Sequence, residues 1–213
     1  MALRDYLREY GGFERDLPRI AGWYSGNLVI CADAACLWDD LERFGARSDY
    51  GSGRIDKEDW HFMTVNKVVE VFPGNIEHCY SNSPSCLQRF VAARRDEYRI
   101  EFQTPRHLHA IQPGVENVWK FGGHGTSGLG AVLVAVALGY SRIVLAGMPL
   151  DDGPHNGEPH WRRTAFASSE AAGGVRTDRN VYWQKAKELA FDGKVRSLSG
   201  RTMKWLGDAM QWV

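Results

Sequence analysis

A chain of 213 residues, 44% hydrophobic and 24% charged, can bury a core of its own, and 12% aromatic residues exclude global disorder, so residues 1–213 are expected to form one domain. Lys plus Arg and Asp plus Glu both number 26, which leaves no overall field to recommend nucleic acid or an anionic membrane as a partner. Acidic residues interrupt the first ten positions where a signal peptide would be apolar, and the longest apolar run, Leu129 to Leu138, falls far short of the ~20 residues that span a bilayer; the expectation is a cytoplasmic protein.

Apolar residues at 3, 6, 7 and 10 predict a short amphipathic helix over Ala2 to Tyr10, stopped by Gly11-Gly12. Asn27 to Ala32 is a short apolar run that predicts a strand, with Asp33 at its end. Over 34–44, Ala35, Leu37, Trp38, Leu41 and Phe44 mark one face of a helix, Asp39, Asp40 and Glu42 the other, and Gly45 ends it. The polar stretch Arg47 to Asp59 contains Gly51-Ser52-Gly53 and reads as an exposed loop. His61 to Val65 predicts a second strand, Lys67 to Phe72 a short helix, and Ile76 to Tyr80 a third strand. A helix follows from Pro84 to Tyr98, with Arg94, Arg95, Asp96 and Glu97 at its solvated end, and 101–120 is irregular.

The clearest unit is next. A glycine-rich turn, Gly122 to Gly128, enters a wholly apolar helix, Leu129 to Leu138, which Gly139-Tyr140 caps before the strand Arg142 to Ala146. After a polar stretch from Asp151 to Asn180, Val181 to Phe191 predicts a helix, Lys194 to Leu198 a strand, and a terminal helix begins near Arg201. Alternation of strands and helices predicts an α/β fold with a mostly parallel sheet flanked by helices, and a lid-like loop over about 151–180.

Several residue groups can carry chemistry. Unpaired N–H groups and the helix dipole make the start of a helix an anion site, and Gly125-Thr126-Ser127-Gly128 adds two hydroxyl donors to close backbone approach, although its spacing matches neither standard phosphate-loop fingerprint. The segment Asp151 to Arg163 leaves the carboxyl end of a predicted core strand, where open α/β sheets bind ligands. Its His155, His160, Arg162 and Arg163 can move a proton and neutralise phosphate charge, and Asp151 with Asp152 can hold a divalent cation if one is used. Asp33 and Asn66 each follow a predicted strand, as helix caps or as ligand contacts. Cysteines at 31, 36, 79 and 86 form no C-x-x-C pair and predict free thiols.

The block from Thr126-Ser127-Gly128 through Ala135-Val136-Ala137-Leu138-Gly139-Tyr140 to Ile143, Leu145 and Gly147 resembles the T-S-G…A-x-A-L-G-Y-x-x-I-x-L-x-G segment of bacterial lipooligosaccharide sialyltransferases. It is similar also to archaeal 6-hydroxymethyl-dihydropterin diphosphokinases and to uncharacterised phage proteins. The resemblance implies a single Rossmann-like domain that binds a nucleotide-activated donor near Ser127 and Gly128, with Asn66 on the donor and His160 where sialyltransferases place a histidine base. Ala32-Asp33-Ala34-Ala35-Cys36 departs from the relatives' first motif, lacking its glycines and its Pro-Ser, and Asp33 would repel a pyrophosphate there.

Three functions are open on these residues. The first is a sialyltransferase-like glycosyltransferase that needs no cofactor: Asp33, Asn66, Gly125, Thr126, Ser127 and Gly128 hold the donor, His160 or His155 activates a hydroxyl acceptor, and Arg162 offsets leaving-group charge. The second is a diphosphokinase-like enzyme with a divalent cation near Asp151 and Asp152. The third is a non-catalytic nucleotide or small-molecule binder, for which the altered first motif speaks.

Overall fold

The computed structural model describes residues 19–49, 54–82, 84–98, 106–108, 115, 117–119, 126–150, 183–184 and 192–213. Seven strands form its main sheet: β1 (Asn27–Cys31), β4 (Trp60–Val65), β5 (His78–Tyr80), β6 (Arg106–Leu108), β7 (Asn117–Val118), β8 (Arg142–Ala146) and β9 (Val195–Ser197). Their order is β7-β6-β5-β4-β1-β8-β9, and every neighbouring pair is parallel. A central parallel strand is covered on both faces, which is why β1 reads as unbroken apolar sequence. Leu28 and Ile30 enter one half of the core; Val29 and Cys31 enter the other.

The helices named among the described residues are α1 (Leu37–Arg43), α2 (Val68–Val71), α3 (Pro84–Tyr98), α4 (Ser127–Leu138) and α5 (Gly200–Leu206), and a 3-10 turn spans Ala209–Trp212. Residues of α1, α2 and α3 pack on the Val29 face, and α4 fills the Leu28 face together with Trp119, Tyr140 and Trp183. Helix α4 has almost no polar face, and the fold buries it nearly all round. Its carboxyl end is closed by the segment before β1, where Gly22 N–H and Tyr24 N–H donate to the carbonyls of Ala137 and Leu138 at 2.9 and 3.0 Å. Gly139 ends the helix at φ 108°, and a Cβ there would lie 2.3 Å from the Tyr24 carbonyl, so glycine is required twice over. The architecture is therefore a Rossmann-like α/β fold with helices on both faces of a parallel sheet.

Several readings of the sequence change, three of them here. Arg47 to Asp59 is not all loop: β2 (Arg47–Asp49) and β3 (Arg54–Asp56) pair as an antiparallel hairpin, and Ile55 is buried in the α1–α3 half of the core. The irregular stretch 101–120 contains β6 and β7, too short to show a period of their own. Arg94 is buried rather than solvated; its guanidinium donates to the Val69, Phe72 and Gly74 carbonyls and so closes the carboxyl end of α2. The predicted Ala2 to Tyr10 helix and the lid-like loop lie outside the described residues.

Candidate functional site

Because the main strands all point one way, the residues that follow them collect on one edge of the sheet. From β1 the chain steps outward through β4, β5, β6 and β7, then returns through α4 to β8 on the opposite side of β1. Strand order thus reverses between β1 and β8, and a crevice outside the carboxyl ends of such a pair is where open α/β sheets bind ligands.

Several of the residues singled out in the sequence stand on this edge. Thr126 is the N-cap of α4; its Oγ1 accepts from Leu129 N–H and from the Trp183 indole N–H, both at 3.2 Å. With those bonds accepted, the Thr126 hydroxyl keeps its own proton to donate. Ser127 Oγ accepts from Asn82 N–H at 3.3 Å, which fixes the start of α4 over the end of β5. Gly128 is buried, and a Cβ there would lie 2.7 Å from Met148 Sδ, so its lack of a side chain lets α4 sit close on the loop after β8.

Asn66 follows β4 in the left-handed region at φ 54°, a conformation asparagine tolerates better than most residues. Its Oδ1 accepts from the Ser81 hydroxyl at 2.9 Å, so the side chain ties the β4 end to the β5 end and does not cap α2. Asp33 is half-buried just past β1 and is not the cap of α1, a position held by Cys36. The structure therefore links Asn66, Ser81, Asn82 and Ser127 in one row, with Asp33 on the next strand end. Gly125, His155, His160, Arg162, Asp151 and Asp152 lie outside the described residues.

A cluster at the reversal point escaped the sequence reading. Asp40 is buried, at 5% exposure, although helical patterning assigned it to the solvated face of α1. Its Oδ2 accepts from Gly147 N–H at 2.8 Å, from the Ser199 hydroxyl at 2.8 Å and from the Cys36 thiol at 3.6 Å, and Cys36 Sγ lies 3.4 Å from Ser199 Oγ. One carboxyl group thereby joins the loops after β1, β8 and β9. Burial raises its pKa, opposed by the Gly147, Ser199 and Cys36 hydrogen bonds and by nearby Arg43. The available signal was spacing: Asp40 stands three residues after Leu37, on the same side of the helix.

The two helix starts on this edge differ in charge. The start of α1 faces a carboxyl group of the same chain, whereas the start of α4 presents backbone N–H groups and two hydroxyls with no acid in its first turn. At the β1 turn the backbone is also tightly packed: Ala34 N–H donates to the Gly147 carbonyl at 3.2 Å, and a Cβ on Gly147 would lie 2.2 Å from the Ala32 carbonyl. The four cysteines are free thiols, Cys31 and Cys79 buried. Among the described residues no three His, Cys, Asp or Glu side chains are grouped to hold a metal, and no helix is long and apolar enough to cross a membrane. Comparison with protein-family models, with curated proteins and with solved structures gives no match.

Proposed function

We propose that this protein is a transferase of the cytoplasm that holds a nucleotide-activated donor at the carboxyl edge of its sheet and passes the activated group, most simply a sugar, to a hydroxyl acceptor. The observation that carries the reading is the row Asn66, Ser81, Asn82 and Ser127, which ties the α4 start to the ends of β4 and β5, on the same edge of the sheet as the point where strand order reverses. In this reading the donor's phosphates lie at the amino end of α4, where Thr126 and Ser127 supply hydroxyls. They do not lie at α1, where Asp40 would oppose them. Asp33 and Asn66 take sugar or ribose hydroxyls. His160, with His155 as second choice, is the base on the acceptor, and Arg162 offsets charge on the leaving group.

A second reading, a binder without turnover, draws on the close-packed β1 turn, which lacks the glycines of the enzymes that the Thr126 to Gly147 block resembles. One set of measurements separates the two. Nucleotides and nucleotide sugars are screened by thermal shift, with and without divalent cations, since a ligand of the folded state raises Tm. Ser127→Ala is expected to weaken the best ligand about tenfold, the loss of one hydrogen bond to a charged group. His160→Ala should leave that affinity nearly intact while lowering turnover roughly 10²-fold or more. Unchanged affinity in Ser127→Ala moves the donor site elsewhere, and binding without turnover in the native protein selects the binder.

A further inference from the structure

Five side chains form one hydrogen-bonded row through the α4 half of the core, running from the amino end of β8 to the carboxyl end of β7. Trp119, just past β7, donates its indole N–H to His107 Nδ1 at 3.0 Å. His107 Nε2 meets His78 Nδ1 at 3.1 Å, His78 Nε2 meets Tyr140 Oη at 2.9 Å, and Tyr140 Oη meets His61 Nδ1 at 2.8 Å. Trp119 is 1% exposed and His107, His78 and Tyr140 are 0% exposed; His61 alone is half-buried.

An indole nitrogen can donate and never accept. His107 Nδ1 must therefore be the acceptor, which puts the His107 proton on Nε2, pointing at His78. The same step repeats along the row: His78 accepts at Nδ1 and donates from Nε2 to Tyr140, whose hydroxyl is left to donate to His61 Nδ1. Reversing the row would set a proton on His107 Nδ1 against the Trp119 N–H. Nor can the row conduct protons, since the indole neither delivers nor takes one at the inner end.

We propose that Trp119 is a polarity lock: it fixes His107 and His78 as tautomers with the proton on Nε2 and aims the Tyr140 hydroxyl at His61 Nδ1, so that the row is a latch that opens from the His61 end when that nitrogen carries a proton. A proton placed on His61 Nδ1 takes away the acceptor of the Tyr140 hydroxyl. That hydroxyl cannot turn to His78, whose Nε2 already carries a proton, so a buried donor is stranded. The groups that face Tyr140 are His61 from β4, His78 from β5, Tyr24 from the segment before β1, and Glu77, whose charge reaches Tyr24 and Tyr140 from just ahead of β5. Tyr24 stacks on Tyr140, with ring centres 5.5 Å apart, and meets His78 edge-on at 4.6 Å. The part that opens is therefore the Tyr24 segment over the carboxyl end of α4. Burial, which pushes His78 down to about 3, holds His107 well below the ordinary histidine range and raises Tyr140, agrees with a neutral row.

Long-range proton–nitrogen NMR of the full chain labelled with 15N-histidine distinguishes the two neutral tautomers and the doubly protonated ring. On lowering the pH, His78 and His107 are expected to keep the Nε2–H pattern. Once the His61 signal shows a doubly protonated ring, exchange of the Gly22 and Tyr24 amides, which hydrogen-bond to the end of α4, should accelerate tenfold or more, with β1 and β8 amides unchanged. Trp119→Phe should bring in a second pattern with Nδ1–H at His107 and His78. Tyr140→Phe should uncouple Gly22 and Tyr24 exchange from His61. An Nδ1–H tautomer at His107 or His78 in the native protein overturns the proposal by itself, whether or not either variant folds. So does amide exchange indifferent to His61, or a single unchanged pattern in a folded Trp119→Phe.

Discussion

At the scale of single residues, Asp40 is the group on which the carboxyl edge depends most. Three donors from three separate loops converge on one of its oxygens, and Arg43, next on the same helix, reaches the Leu198 carbonyl and Asp208 at 3.0 Å each. The Arg43–Asp208 pair is about half exposed and adds little. The buried carboxyl group is different, because removing it leaves the Gly147 N–H and the Ser199 hydroxyl without their acceptor. Asp40→Ala is expected to cost on the order of 2–4 kcal/mol in urea unfolding, and Asp40→Asn, which keeps an acceptor oxygen, less than half of that. Equal losses in the two variants would make packing, not hydrogen bonding, the source of the effect. Asp40 was misassigned for a simple reason: its spacing from Leu37 was the one hint, but patterning assigns acids to water, and only the partners supplied by distant loops make this one an interior residue.

At the scale of elements, α4 shows how glycines in a helix serve packing. A Cβ on Gly130 would fall 2.1 Å from the Tyr80 hydroxyl, which donates to Asn82 Oδ1 at 2.7 Å, and Asn82 N–H in turn donates to Ser127. Gly130→Ala gains about 1 kcal/mol in helix propensity and loses about 1–3 kcal/mol to overpacking, so a net loss of stability is expected in thermal melts. Gly128→Ala meets only the flexible Met148 thioether and should be milder. The elements legible in the sequence were those with a long enough pattern: β8 falls on its expected Arg142 to Ala146, and α3 on Pro84 to Tyr98. Helix α1 begins at Leu37, not at residue 34, because Ala34 hydrogen-bonds to Gly147 before the helix starts. The Trp119–His61 row was invisible because its members are scattered over eighty residues, each reading as a lone polar or aromatic side chain.

At the scale of the whole molecule, stability should fall in acid. The folded state holds His78 and His107 below their unfolded values, so the unfolded chain binds more protons between about pH 3 and about pH 6.5, and stability rises with pH through that window. Each imidazole contributes up to about 1.4 kcal/mol per pH unit. Asp40 acts in the opposite sense: its raised pKa lets the folded state keep a proton longer, and its contribution declines as pH rises from about 3.9 through the folded value. Glu70, also raised by burial, acts in the same sense as Asp40. The two imidazoles, whose unfolded value lies between pH 5 and pH 7, dominate over that interval and predict a lower urea midpoint at pH 5 than at pH 7; a flat profile would remove them from the balance. The reversal of strand order also has a consequence in time. β1 takes β4 on one side soon after both are made, but its other partner, β8, is complete only about eighty residues after β4 ends. At 5–20 residues per second, a nascent chain would leave that flank of its most apolar strand bare for roughly 4–16 s, long enough for a chaperone, or a neighbouring nascent chain, to reach it before its own sequence does.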